Sequence, residues 1–199
     1  MVHFYFGAVG HITIGGDTFS DGKVIDQALA ALDWAGPEGV IIDLRRNRGG
    51  SQPELRRSLD RVLRNDSYIG MERSASGVTD WRASHNARAY SGPLAVLIGP
   101  MSASAAEIFA AAIQDNLRGR LLGRMTNGSV LKARRFPLPD GGVVEVPVSD
   151  FVRAIGTRIE GAGVEPDIRI VPSLAEIRAG HDPVIKRALL ELRNGMNSQ

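Results

Sequence analysis

Three short segments of the 199-residue chain carry side chains whose types and spacing could do chemistry. The first is Gly99-Pro100-Met101-Ser102-Ala103-Ser104-Ala105-Ala106-Glu107-Ile108. Small residues crowd a strand-to-helix junction here, so a hydroxyl in it is approachable. At a helix start the macrodipole also favours an alkoxide and a later oxyanion. Serine is equally a preferred N-cap, and Ser104 with Glu107 fits a capping box. Taken alone, the segment is more often a cap than a catalyst. The second segment is Arg45-Arg46-Asn47-Arg48-Gly49-Gly50-Ser51. Adjacent glycines after an apolar run let backbone N–H groups converge on one cavity, as an oxyanion hole needs, or simply make a turn. The third is Arg158-Ile159-Glu160-Gly161-Ala162-Gly163-Val164-Glu165-Pro166-Asp167-Ile168. Its Glu160 could orient a histidine or pair with an arginine.

Composition narrows the classes of function. The chain has no cysteine, which excludes thiolate catalysis, disulfides and Cys-based metal sites. No spacing resembles a zinc site or a phosphate loop, so no metal and no cofactor is expected. The net charge is +2, and the arginines are scattered beside acidic neighbours, without interleaved aromatics. Nucleic acid is therefore not an expected partner. No apolar run approaches the roughly 20 residues of a membrane span. The start, MVHFYFGAVGHITIGG, lacks the basic beginning and long apolar stretch of a secretory signal, which leaves location open.

The elements that must position these segments can be read from periodicity. Val9 to Gly16 alternates and is β-branched, a strand. Lys23 to Ala35 has helical spacing and stops at Gly36-Pro37. Gly39 to Leu44 is a continuous apolar run, as in a buried parallel strand. Pro53 opens a helix to about Arg64. Residues 66–92 read as a weak strand plus a long loop. Leu94 to Ile98 is a second buried strand, Ser104 to Leu117 a helix, and Arg120 to Gly123 a short strand. Two alternating segments flank Pro139-Asp140-Gly141-Gly142, a hairpin signal. Pro183 to Arg193 is an amphipathic tail helix. The expected class is α/β, built of βαβ units with a C-terminal hairpin region and a terminal helix, in a single domain over 1–199.

Taken together, the blocks resemble the carboxyl-terminal processing (tail-specific) peptidases and their tricorn-like relatives. Gly39-Val40-Ile41-Ile42-Asp43-Leu44-Arg45-Arg46-Asn47-Arg48-Gly49-Gly50 resembles their strand and glycine loop, and SASAAEIFAAAIQD from Ser102 to Asp115 their nucleophile segment. Phe136-Pro137-Leu138-Pro139-Asp140-Gly141 and Glu160 to Ile168 resemble their closing hairpin and tail. The resemblance runs from about residue 9 to 171, with 172–199 a helical tail. It implies a crotonase- or ClpP-like spiral and a peptide substrate, with a short ester as the alternative. It also favours a periplasmic or secreted location, with a cytoplasmic one open, and allows a homo-oligomer. By position, Ser104 matches the nucleophile, and Gly49, Gly50 and the N–H of Ala105 match the oxyanion hole.

One departure stands out. Members with a Ser–Lys dyad carry the lysine in a TFGKG-type loop, which here reads Thr126-Asn127-Gly128-Ser129-Val130. Ser129 takes the lysine's place, and a hydroxyl without a partner is no base near neutral pH. The tricorn-like branch uses Ser, His and Glu, which points to Ser104, His11 and Glu160, with Thr13 the alternative match on the same strand face. A displaced base, Lys132, lies three residues beyond Ser129, about 10 Å along a strand and facing the other way. His85 is a reserve base, and Ser102 a rival hydroxyl. The remaining alternative is an inactive peptide-binding or assembly module.

Overall fold

Short runs that are apolar at every position make strands covered on both faces, and they occupy the centre of the larger sheet. The computed structural model describes residues 2–5, 9–15, 27–30 and 37–196. In chain order the strands β1 (Val2–Tyr5), β2 (Val9–Thr13) and β3 (Gly39–Asp43) precede helix α1 (Gln52–Asp60). The hairpin β4 (Tyr68–Ser74) and β5 (Gly77–Arg82) follows, then β6 (Leu94–Ile98), helix α2 (Ala105–Asp115) and β7 (Arg120–Gly123). Strands β8 (Lys132–Pro137), β9 (Val143–Arg153) and β10 (Ile168–Arg169) lead to helices α3 (Leu174–Arg178) and α4 (Pro183–Met196). Six strands form one sheet in the order β1-β2-β3-β6-β7-β10, and four form a second, β5-β4-β9-β8. The first is parallel except for β1, and the second is antiparallel throughout. The fold is therefore mixed α/β.

The larger sheet has a core on each face. Ile12, Ile14, Val40, Ile42, Val96 and Ile98 pack with Leu55 and Leu59 of α1 and with the buried length of α2. Val9, Ile41, Ala95 and Leu97 pack with Val184, Ala188 and Leu192 of α4. Helix α2 is Ala-rich and buried from Ala105 to Ile113, so it lies inside the protein rather than on it. The second sheet reaches the first core through Ile69, Trp81 and Phe151, the two aromatic rings meeting edge to face at 5.1 Å.

Most expected elements are present, with differences at particular places. The 66–92 stretch is not a weak strand and a loop but a full hairpin ending at Arg82. Its edge strand β5 buries only Trp81, so no alternation betrays it. Helix α1 ends at Asp60 rather than near Arg64, and α2 ends before Leu117, whose φ is 50°. Helix α3 was not expected. The helix read over Lys23 to Ala35 falls largely outside the described residues, of which 27–30 are helical.

Candidate active site

Ser104 stands where β6 hands over to α2, and its backbone is the unusual feature of the site. Its φ is 55° and its ψ −120°, a sparsely populated conformation that costs a non-glycine residue on the order of 1–3 kcal/mol. Helix caps do not require this: N-cap residues normally adopt extended backbone. Ser51, before α1, has φ −77° and ψ 144°, and Ser173, before α3, has φ −73° and ψ 158°. A serine on a sharp strand-to-helix turn has its hydroxyl pushed outward, the geometry that serves a nucleophile.

Surrounding groups hold this turn in place. The Ser104 N–H donates to Ser129 O at 2.8 Å and to Glu107 Oε2 at 3.0 Å. Glu107 is fully buried, and its carboxylate also accepts from Thr126 Oγ1 at 2.5 Å, Gly128 N at 2.6 Å and Ser129 N at 2.8 Å. A buried carboxylate is tolerable when its lone pairs are filled in this way. Glu107 thereby fastens the nucleophile turn to the 126–129 loop. On the far side of that loop, Glu160 Oε2 accepts from Val130 N at 2.7 Å and Leu131 N at 3.1 Å. Ser129 itself is exposed, and its hydroxyl meets Asn127 Oδ1.

The glycine loop closes the other wall. Asn47 is buried, and its carbonyl accepts from Ala103 N at 3.1 Å. Its side-chain Oδ1 accepts from Gly49 N at 2.7 Å, so that N–H is already committed. Gly49 has φ 112° and leans directly on the serine: a Cβ there would lie 2.7 Å from Ser104 Cβ and 3.2 Å from Ala105 N. Only glycine permits this approach. Ala105 is the first residue of α2, and its N–H has no acceptor within the helix, so it is open to an oxyanion. Gly50 is exposed on the same loop.

The structure thus brings Ser104, Gly49, Ala105, Ser129 and Glu160 into one neighbourhood, and Gly50 lies on the loop beside it. It does not bring His11 there. His11 is 3% exposed and shares with Val9, two residues earlier on β2, the sheet face that α4 covers, whereas α2 packs on the opposite face. Its Nε2 lies 3.6 Å from Asp43 Oδ2. Burial alone would raise the Asp43 pKa, but the hydrogen bonds of His11 and Arg45 outweigh it and hold it down at about 2. Arg45 bonds Asp43 through Nε at 3.0 Å and Nη2 at 2.6 Å, and reaches Asp182 at 2.8 Å. Thr13 is paired in register with Asp43 and shares the His11 face. Ser102 is fully buried, its Oγ donating to Leu44 O at 2.8 Å and accepting from Gly99 N at 3.0 Å. Lys132 is half exposed, its Nζ 3.1 Å from Gln52 Oε1 and 3.6 Å from Glu72 Oε1. His85 is exposed between β5 and β6. Among the described residues, no hydrogen bond joins any of these bases to Ser104 Oγ.

Sequence reasoning missed the reach of Glu107, since its partners lie 19–22 residues downstream. It also missed the buried Asn47 and the Asp43–Arg45–Asp182 chain. Two cavities of about 300 and 330 Å³ lie elsewhere, one between Arg45 and Pro183 and one between Arg73 and Asp150. Among the described residues there is no cluster of His, Cys, Asp and Glu fit to hold a metal, and no helix long and apolar enough to cross a membrane.

Comparison with known proteins agrees with this geometry. The family described as peptidase family S41 matches residues 8–170. The chain is 32% identical over 194 residues to a carboxyl-terminal-processing protease of Synechocystis, covering 95% of this chain and 45% of that one. It is 33% identical over 163 residues to the chloroplastic carboxyl-terminal-processing peptidase 2 of Arabidopsis thaliana, covering 80% of this chain and 31% of that one. It thus spans less than half the length of these relatives. Among solved structures it is similar to a photosystem II D1 C-terminal processing protease, with TM-score 0.68, 29% identity and coverage of 83% of this chain and 43% of that one. The fold is also shared with the tricorn protease, with TM-score 0.68, 22% identity and coverage of 96% of this chain and 18% of that one.

Proposed function

Since the chain belongs to peptidase family S41, we propose that it is the core of a serine hydrolase that cleaves peptide bonds through an acyl-enzyme on Ser104. The relatives are named for carboxyl-terminal processing, which makes peptide tails the proposed substrate. The observation that carries the reading is the strained Ser104 backbone with Gly49 packed against its Cβ. In this reading Ser104 Oγ adds to the scissile carbonyl, and the Ala105 and Gly50 N–H groups hold the oxyanion. The amine leaves with a proton, and water then releases the acid. One oxyanion donor is worth roughly 2.7–4 kcal/mol of barrier in a comparable site. Gly49 shapes the hole and does not donate, because Asn47 already holds its N–H.

The finer assignments belong to the same proposal. We take the βαβ order as a crotonase- or ClpP-like spiral. A Ser–Lys dyad is disfavoured, since Ser129 stands at the lysine's place and the Lys132 Nζ is turned to Gln52 and Glu72. Glu160 borders the neighbourhood that a Ser–His–Glu arrangement uses, but its carboxylate is given to two backbone amides. His11 faces the α4 core. The proposal therefore rests on the nucleophile and oxyanion half of the site. A second reading, a peptide-binding module without catalysis, draws on the lack, among the described residues, of any base bonded to Ser104 Oγ.

Fluorophosphonate labelling separates the two. The proposal expects labelling of the wild type that survives Ser102→Ala and disappears in Ser104→Ala, with His11→Ala and Lys132→Ala identifying the proton acceptor. A folded wild-type protein that takes no label leaves the binding module.

A further inference from the structure

The oxyanion loop carries two exposed arginines, Arg46 and Arg48, that no described side chain holds. From residue 45 to 50 burial alternates: Asn47 and Gly49 turn inward onto the Ser104 turn, while Arg46, Arg48 and Gly50 turn outward. The chain turns here, the Asn47 N–H closing on Leu44 O at 2.9 Å, and leaves Arg46 and Arg48 exposed on either side of the buried Asn47. They are therefore one residue away from groups that touch the nucleophile turn: Asn47 O, which bonds Ala103 N, and Gly49, which abuts Ser104 Cβ.

Several other arginines are held by acids. Arg45 is held by Asp43 and Asp182, Arg153 by Asp115, Arg158 by Asp150, Arg135 by Glu145 and Arg187 by Glu191. Arg46 and Arg48 form no ion pair or hydrogen bond through their side chains with a described residue. Nor does Arg124, which is exposed at the start of the loop that carries Ser129.

Among the described residues, the acids of the site are engaged elsewhere. Glu107 is spent on four protein donors and Glu160 on two backbone amides. Glu54, in the first turn of α1, buries its Oε2. The N-terminus of α2 adds a positive dipole end at Ser104. A guanidinium matches a carboxylate in planar, two-point hydrogen bonding, and an uncompensated rim of one sign draws ligands of the other.

We propose that Arg46 and Arg48 make the Ser104 site selective for peptides that carry a carboxylate next to the bond presented to Ser104. This selectivity rests on the peptide-hydrolase reading above and adds to it the charge of the substrate. The carboxylate can come from an Asp or Glu side chain or from a free chain end, and paired peptides distinguish the two.

The test measures fluorescence-anisotropy binding to full-length Ser104→Ala protein. The probes are hexapeptides matched as Glu against Gln at each position, each with a free or an amidated C-terminus. Binding is read at about 0.02 and 0.15 M ionic strength, across which exposed charges become increasingly screened. The expected result is a preference of roughly five-fold for the carboxylate-bearing member, shrinking at the higher salt. Adding Arg46→Gln and Arg48→Gln should erase the preference, while Arg46→Lys with Arg48→Lys should keep part of it. Matched thermal melts confirm that each variant is folded. Equal binding of the paired peptides, no binding of either, or a preference that survives the double Gln change overturns the proposal. Fluorophosphonate labelling of wild type reports separately on catalysis, so a failure of that reading is not mistaken for a failure of this one.

Discussion

Ser104 with Glu107 and Ser173 with Glu176 are the same four-residue cap in sequence, yet they do different work. At Ser173 the motif stays local. Glu176 accepts from the Ser173 N–H at 2.8 Å, and the Ser173 hydroxyl accepts from Glu176 N at 3.2 Å, all in contact with solvent. The backbone is extended and α3 runs only five residues. At Ser104 the glutamate is buried and takes three of its four donors from a loop some twenty residues away, while the serine adopts a strained φ. The Ser173 cap only starts a helix; the Ser104 cap anchors a site. A motif's chemistry here depends on what surrounds it and not on its residues.

The largest expected effect breaks the two caps apart through their acids. Glu107→Gln sets an amide NH₂ among four donors inside the protein. Lost hydrogen bonds to a charged acceptor cost about 1.5–3 kcal/mol each before relaxation, so a net loss of about 3 kcal/mol is expected, or about 10 °C in Tm for a chain of this size. Glu176→Gln should leave the melting curve within error. Equal shifts by calorimetry would mean that the buried network contributes no more than the exposed cap. Labelling of Ser104 should also weaken in Glu107→Gln, because the 126–129 loop loses its tie.

Gly49→Ala tests the wall opposite Ser104. The added methyl would lie 2.7 Å from Ser104 Cβ and 3.2 Å from Ala105 N, in the space an oxyanion needs. Its φ of 112° also penalises any side chain. Labelling should fall by about 100-fold or more, the scale of one lost oxyanion donor. Gly180, at φ 70° with open space around it, is the matched control near the Ser173 cap. Gly180→Ala should cost stability and leave labelling alone.

Asp43 shows what burial does to a carboxylate outside either cap. Its pKa is held at about 2 against an ordinary 3.8. The folded value is the lower one, so its contribution is present above about pH 4 and is lost as pH falls toward 2. The difference corresponds to about 2 kcal/mol. Asp43→Asn should flatten that part of the acid-stability curve by urea titration. A curve unchanged by the substitution would place the acid sensitivity elsewhere.

How much of this was legible beforehand varies with how local the cause is. Strands β3 and β6 were readable because continuous apolar runs can only be covered on both sides. The β8–β9 hairpin was readable because Asp140-Gly141-Gly142 dictates its turn. The β4–β5 hairpin was not, since an edge strand burying one side chain has no alternation to show. At the site, Ser104 and the glycine step emerged from block resemblance, while the φ of 55° leaves no mark on residue type. That His11 and Thr13 share a face followed from their two-residue spacing on β2. What covers that face did not, because α4 arrives from the far end of the chain.

The smallest expected effect has the clearest sign. Glycine adopts positive φ without penalty, so Ser104→Gly relieves strain in the folded state. Against that stands the greater backbone freedom glycine has when unfolded, a cost of roughly 0.5–1 kcal/mol. With strain of about 1–3 kcal/mol removed, the net change should be a gain of about 1 kcal/mol, or a few degrees in Tm, while labelling is abolished. At Ser173 the backbone is relaxed, so Ser173→Gly has no strain to relieve and should lower Tm slightly. Opposite signs at two serines of the same motif would show that the strain at Ser104 is held there against folding stability, as a nucleophile turn requires and a helix cap does not. The same sign at both would make Ser104 an ordinary cap.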